Sequence, residues 1–245
     1  MNSGKQNEID ILTELTGKKF EDLEPKWKGH IKKMFPEIKD TDMVHAYFYK
    51  DKFAKPDVVI TVNNRSVLVS VKSGKNPSFH FESYNDFNSY LQRLGVKERI
   101  LKIIRFYLFG KTEKLSNNGE PFTKMEIQTK FEQYIKEAND YFINNPAIVK
   151  KIIHHTLIRG SRYQEEPIDF FYYGKADRGF LLSPNEIDRV ILEDANYDYR
   201  GIHFFALVLQ PDGRKSDEYN KLYVRIKWPI ISRRLFDDAF IEKYS

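Results

Sequence analysis

The chain has 245 residues, 41% hydrophobic and 15% aromatic, with no cysteine and a formal net charge of +5. That aromatic content argues against a disordered chain, and the lack of cysteine excludes disulfides and thiolate metal sites. No apolar run reaches the roughly eighteen residues of a membrane span, and "MNSGKQNEID" has no signal-peptide core, so a soluble cytoplasmic protein is expected. The positive balance is compatible with a polyanionic partner but does not identify one.

In chain order, "NEIDILTELTG" places Ile9, Leu12 and Leu15 on one helical stripe that closes at Gly17. "EDLEPKWKGHIKKMF" continues helically, with Trp27, Ile31, Met34 and Phe35 on a face, until Pro36. "MVHAYFYK" reads as a strand, and "KPDVVITVNNRSVLVSVK" as two apolar strands around an Asn-Asn turn. "SFHFES" alternates, with Phe79 and Phe81 on one side and Ser78, His80 and Glu82 on the other. The longest helical pattern follows: Phe87, Tyr90, Leu91 and Leu94, a break at Gly95, then Ile100, Ile103, Ile104, Tyr107 and Leu108. "KTEKLSNNGEPF" is a loop, and Thr123 with Glu126 forms a capping box before the next helix. Asn145-Pro146 opens another helix, running to about Arg159 and stopped by Gly160.

Beyond Gly160 the pattern changes. "IDFFYY" and "GFLL" read as strands, "SPNEIDRVILED" as a short helix, and "IHFFALVLQ" and "KLYVRIKW" as two long strands joined by "PDGRKSDEYN". A terminal helix ends the chain. The class expected is α/β or α+β, with a central mixed sheet flanked by helices. Residues 1–160 would form a core and residues 161–245 a β-rich C-terminal part, either separate or extending the central sheet.

The Asn-Asn turn fixes which residues face each other. A two-residue turn at Asn63-Asn64 places Asp57 directly opposite Ser70; a four-residue loop from Asn63 to Ser66 places it opposite Lys72. In both registers Asp57, Ser70 and Lys72 share one face, roughly 5 Å apart at Cβ if opposite and 7–8 Å on the diagonal. Val67, Val69 and Val71 fill the other face. An ion pair at a sheet end accounts for an acid and a lysine without any chemistry. The neighbouring His80 and Glu82 add an imidazole and a second carboxylate, and an oxygen-rich cluster of this type suits Mg²⁺.

Pro56-Asp57 followed by a strand ending in Ser70-Val71-Lys72 resembles the core of the PD-(D/E)XK nuclease superfamily. The surrounding α-β-β-β-α order resembles it too, over roughly residues 5 to 110. The departure is Ser70, where that superfamily usually has Asp or Glu. Some of its restriction endonucleases, notably ones cutting CCGG-centred sites, also carry Ser-Val-Lys and recover the acid from a Glu near the following helix. Glu82, with nine residues between it and Lys72, is similar to that migrated acid, at a shorter spacing than theirs. The resemblance implies a nuclease core within residues 1–160 in which Asp57 and Glu82 hold Mg²⁺, with the Val71 carbonyl as a further ligand. Lys72 would serve the hydrolytic water, and His80 would touch a phosphate or orient Glu82. A Glu on the first helix, Glu8 or Glu14, is the corresponding candidate for a second metal.

Other clusters carry less. His154 and His155 are adjacent, diverge by about 100° on a helix, and make a poor chelating pair. Arg159, Arg162, Lys175, Arg178, Arg233 and Arg234 sit in turns or at helix ends, where they would either contact phosphates and bases or be solvated. Arg225 and Lys227 alternate on a strand with Tyr223 and could form a basic face. The function expected is a Mg²⁺-dependent, sequence-specific endonuclease of the type II restriction class. It would act on double-stranded DNA at a palindromic site as a homodimer. The alternatives are a non-specific or RNA-directed nuclease of a defence system, and a catalytically silent nucleic-acid-binding relative.

Overall fold

Valines and isoleucines on both faces of β3 (Val58–Val62) leave it no solvent side, and it forms an inner strand. Antiparallel neighbours β2 (Met43–Phe48) and β4 (Arg65–Lys72) flank it. β4 pairs in parallel with β6 (Phe170–Lys175), which pairs antiparallel with β7 (Arg178–Leu182). With β1 (Lys18–Lys19) this makes a mixed six-stranded sheet in the order β1-β2-β3-β4-β6-β7. The computed structural model describes all residues except 1–2, 52–53, 75–76, 113, 161–165, 195–199, 213–222, 235–236, 238–239, 241 and 244–245.

The chain divides into two compact units, each drawing on residues from both sides of position 160. The first holds this sheet and comprises residues 1–77, 157–187 and 230–245. Helices α1 (Ser3–Leu15) and α2 (Pro25–Met34) supply Ile11, Leu15, Trp27, Ile31 and Met34 to a core shared with Val58, Ile60, Val69 and Val71. Each such side chain, fully buried, contributes about 1.5–3 kcal/mol.

α1 does not bury the expected stripe. Asn7, Ile11 and Leu15 face inward, while Ile9 and Leu12 are only half-buried. The reason is polar: the Asn7 amide donates to the Gly174 carbonyl at 2.8 Å and accepts from the Ala176 N–H at 3.0 Å. Gly174, at φ 137°, is needed at that turn, because a Cβ there would lie 2.3 Å from the Arg178 carbonyl oxygen.

The second unit comprises residues 78–156 and 188–229. Its four-stranded antiparallel sheet runs β5-β10-β9-β8, from β5 (Ser78–Ser83), β10 (Tyr223–Lys227), β9 (Leu207–Asp212) and β8 (His203–Phe204). The helices of this stretch are α3 (Tyr84–Arg93), α4 (Glu98–Phe109), α5 (Lys124–Lys130), α6 (Glu132–Ile143) and α7 (Pro146–Ile153). The Thr123–Glu126 capping box is present at α5. A second box links Ser183 and Glu186 at the start of α8 (Pro184–Glu193), and α9 spans Pro229–Arg234.

Two strand expectations change. "IHFFALVLQ" is a tight hairpin rather than one strand: Phe204 pairs with Leu207, and Phe205 takes the left-handed turn position at φ 55°. A buried phenylalanine carries none of the Gly or Asn signal by which such a turn is normally read. In β5 the alternation is interrupted by a register shift opposite Ile226 and Lys227, so Phe79 is buried against Trp228 while Phe81 is 49% exposed. No helix among the described residues is long and apolar enough to cross a membrane.

Candidate active site

The β3–β4 turn has two residues. Val62 pairs with Arg65 and Val58 with Val69, and Asn63 adopts φ 53°, a conformation asparagine tolerates. Asp57 therefore lies one step beyond Val58, opposite Ser70, and its N–H donates to the Val69 carbonyl at 2.9 Å. Its Oδ2 accepts three hydrogen bonds, from the Ser70 hydroxyl at 3.0 Å, the Val71 N–H at 2.7 Å and the Lys72 ammonium at 2.9 Å. The same ammonium donates to the Val71 carbonyl at 3.1 Å. Ser70 is fully buried, whereas Asp57 and Lys72 are partly open to solvent.

Lys55, two positions before Asp57, brings a further amine to this corner. Burial and then repulsion from Lys72 pull its ammonium down to about 7, against the opposing attraction of Asp57. The acceptors around the Lys72 ammonium are a carboxylate and a backbone carbonyl, both hard oxygens. That set fits a cation such as Mg²⁺, which takes one or two protein oxygens and keeps several waters.

Glu82 and His80 belong to the second unit. Opposite His80 and Glu82, β10 places Ile226 and Val224, so both polar side chains lie on the buried face of that sheet. His155 Nε2 lies 3.1 Å from Glu82 Oε1 and 3.0 Å from Oε2, and His80 Nε2 lies 3.1 Å from Oε2. Burial alone pushes the Glu82 carboxyl up. The hydrogen bonds and charge of His155 and His80 outweigh it and hold the group down at about 2.

The sequence sets His155 aside as half of a poor chelating pair, yet it joins the Glu82 cluster. The two adjacent histidines do diverge: His154 lies 3.1 Å from Asp188, which also pairs with Lys150. His155 reaches Glu82, 73 positions away in sequence, a contact that no local spacing encodes.

The basic candidates fall on separate elements. Arg159 is exposed on a π-helical turn, His154–Arg159, that follows α7. Lys175 and Arg178 are exposed and paired at the β6–β7 turn. Arg225 lies beside Lys227 on the outer face of β10, its guanidinium 5.3 Å from the Phe81 ring, and Phe81 stacks on Tyr223 at 4.6 Å. Arg233 is exposed on α9, and Arg234 belongs to the same helix. Arg162 lies outside the described residues. Glu8 and Glu14 are engaged by Lys5 and Lys18 along the surface of α1.

A mixed sheet flanked by helices in this arrangement is a restriction-endonuclease-like fold. The solved structure of restriction endonuclease MspI with its cognate DNA is similar to this chain at a TM-score of 0.50. The likeness covers 82% of this chain and 77% of that one, at 11% identity. No protein-family model and no curated protein matches the sequence.

Proposed function

We propose that the protein is a Mg²⁺-dependent DNA endonuclease of the type II restriction class. The observation that carries this is the Lys72 ammonium seated between Asp57 Oδ2 and the Val71 carbonyl, at 2.9 and 3.1 Å. These are the two oxygens that the resemblance marks as metal ligands, and they already converge on a cation. The likeness to a DNA-bound restriction endonuclease supports the same direction at the level of the fold.

When bound, Mg²⁺ would neutralise phosphate charge and lower the cost of forming the attacking hydroxide. The chain supplies the rest. Asp57 and the Val71 carbonyl would hold the ion, and Ser70 and the Val71 N–H keep the Asp57 carboxylate oriented from behind. With Asp57 engaged in holding the ion, the Lys72 ammonium would be released from Oδ2 to face the water or the scissile phosphate. The migrated-acid role of Glu82, with His80 as its helper, rests on sequence spacing alone, and this reading does not require it.

The proposed substrate is double-stranded DNA with a palindromic site, cut by a homodimer, because a two-fold site is matched by a two-fold protein. Arg225, Lys175, Arg159 and Arg233 are the described basic residues offered to the duplex. The test is digestion of a plasmid and phage DNA panel with Mg²⁺ or EDTA, by wild type and Lys72→Ala. Discrete bands that need both Mg²⁺ and Lys72 support it. A Mg²⁺-dependent smear replaces sequence specificity with a non-specific effector, and inertness on DNA and RNA alike favours a silent relative.

A further inference from the structure

Three buried side chains of the second unit converge without any role in the hairpin. His80 and Glu82 are two apart on β5, so the pleat aims both at one face, and His155 approaches from the turn after α7. One ligand atom from each lies within 4.8 Å of the others. We infer that His80, Glu82 and His155 form a binding site for a transition-metal ion of the Zn²⁺ type.

The arrangement of ligand atoms is compatible with an ion. Both imidazoles present Nε2 to the same carboxylate oxygen, Glu82 Oε2, at 3.1 and 3.0 Å. Ligand atoms about 2.0–2.2 Å from a tetrahedral ion stand roughly 3.3–3.6 Å from one another. The two histidine–carboxylate separations are a few tenths of an ångström short of that spacing, and all three ligand atoms lie within 4.8 Å of one another. Two imidazoles and one carboxylate are a nitrogen–oxygen set suited to Zn²⁺, and Mg²⁺ prefers oxygens and its own waters. A solvent molecule would complete the fourth position.

The His155 ring is held for this geometry. It stacks on Tyr90 at 3.9 Å and 15°, and the Tyr90 hydroxyl is tied to the Lys151 carbonyl at 2.8 Å. His155 lies on a π-helical turn, a rare backbone form found disproportionately at functional positions. The next residue, Thr156, caps the Ile152 carbonyl at 2.7 Å. A bound ion would tie β5 to the turn after α7 within one unit, stabilising it by mass action.

The experiment is metal analysis of the purified full chain, then titration of chelator-stripped protein with Co²⁺ followed by Zn²⁺. The expected result is one ion per chain and a visible Co²⁺ band of tetrahedral intensity that an equivalent of Zn²⁺ abolishes. The band persists in Asp57→Ala, which removes the hairpin carboxylate, and is lost in His155→Gln. Should His155→Gln fail to fold, the wild-type titration and Glu82→Gln decide. A wild type that takes up neither Co²⁺ nor Zn²⁺ stoichiometrically overturns the site, as does uptake that follows Asp57 instead of His155. Loss of Mg²⁺-dependent DNA cleavage would leave these readouts unchanged, so the two proposals fail separately.

Discussion

The Ser70 hydroxyl donates to Asp57 Oδ2 across the β3–β4 hairpin at 3.0 Å, from a fully buried position. A donor thus stands where the superfamily that the sequence resembles usually carries an acid. In Ser70→Asp two carboxylates would face each other with Cβ atoms roughly 4.5–5.5 Å apart, which is repulsive unless a cation lies between them. The variant should melt below wild type in EDTA and recover more of its Tm than wild type does when Mg²⁺ is added. A Tm indifferent to Mg²⁺ would count against a cation at Asp57.

Lys72→Ala removes the ammonium but leaves Asp57 with its donors from Ser70 and Val71. The ion pair is partly exposed, so its contribution to stability is modest. Cleavage should fall by about 10²-fold or more while the melting temperature changes by only a few degrees. Lys72→Arg should not restore activity, since a planar guanidinium cannot take the place of a compact ammonium between two oxygens. Full activity in either variant would remove Lys72 from the chemistry.

Register at the hairpin depends on Asn63, which holds φ 53°. A β-branched residue resists that conformation, so Asn63→Val should cost about 1–2 kcal/mol in urea unfolding, and Asn63→Gly should cost far less. Activity should follow the same order, because a one-residue slip turns Asp57 away from Ser70 and Lys72.

The hairpin is legible in the sequence because all its determinants are local. The Asn-Asn turn sets the register, the valines set the faces, and the acid-to-lysine spacing then follows. The capping boxes at Thr123 and Ser183 are legible for the same reason. What the sequence hides depends on pairing between distant segments. β5 follows the motif directly, yet it pairs with β10 from the far end of the chain, which buries Glu82 and His80 beside His155. Likewise Asn7 takes a core position on α1 only because the turn at Gly174 offers it two backbone partners.

Acid stability should report His30, buried beside Trp27 and Tyr172. Burial, then the charges of Lys26 and Lys33, lower its pKa to about 3, against a weaker opposing effect of the Gly179 backbone. Between pH 6.5 and 3 the unfolded chain binds a proton there that the folded chain refuses. The stability associated with this site is therefore complete above pH 6.5 and declines as pH falls towards 3, by on the order of a few kcal/mol. His30→Leu should flatten that part of the curve in urea titrations at stepped pH. An unchanged acid limb would mean that His30 protonates in place.

The outer face of β5 and β10 carries an exposed aromatic pair beside a guanidinium. Phe81 stacks on Tyr223 with an interplanar angle of 9°, both are substantially exposed, and the Arg225 guanidinium lies 5.3 Å from the Phe81 ring. Stacked exposed aromatics next to a guanidinium and Lys227 can meet a backbone with charge and a base with a ring face. If Arg225 contacts phosphate, Arg225→Ala should weaken DNA binding about equally for every sequence and reduce the salt-dependence slope by about one. Phe81→Ala should leave the slope intact and weaken single-stranded binding more than duplex binding, since a paired base has no free face to stack. Electrophoretic mobility or anisotropy titrations across salt concentrations separate these outcomes, and slopes identical to wild type in Arg225→Ala would remove this face from the interface.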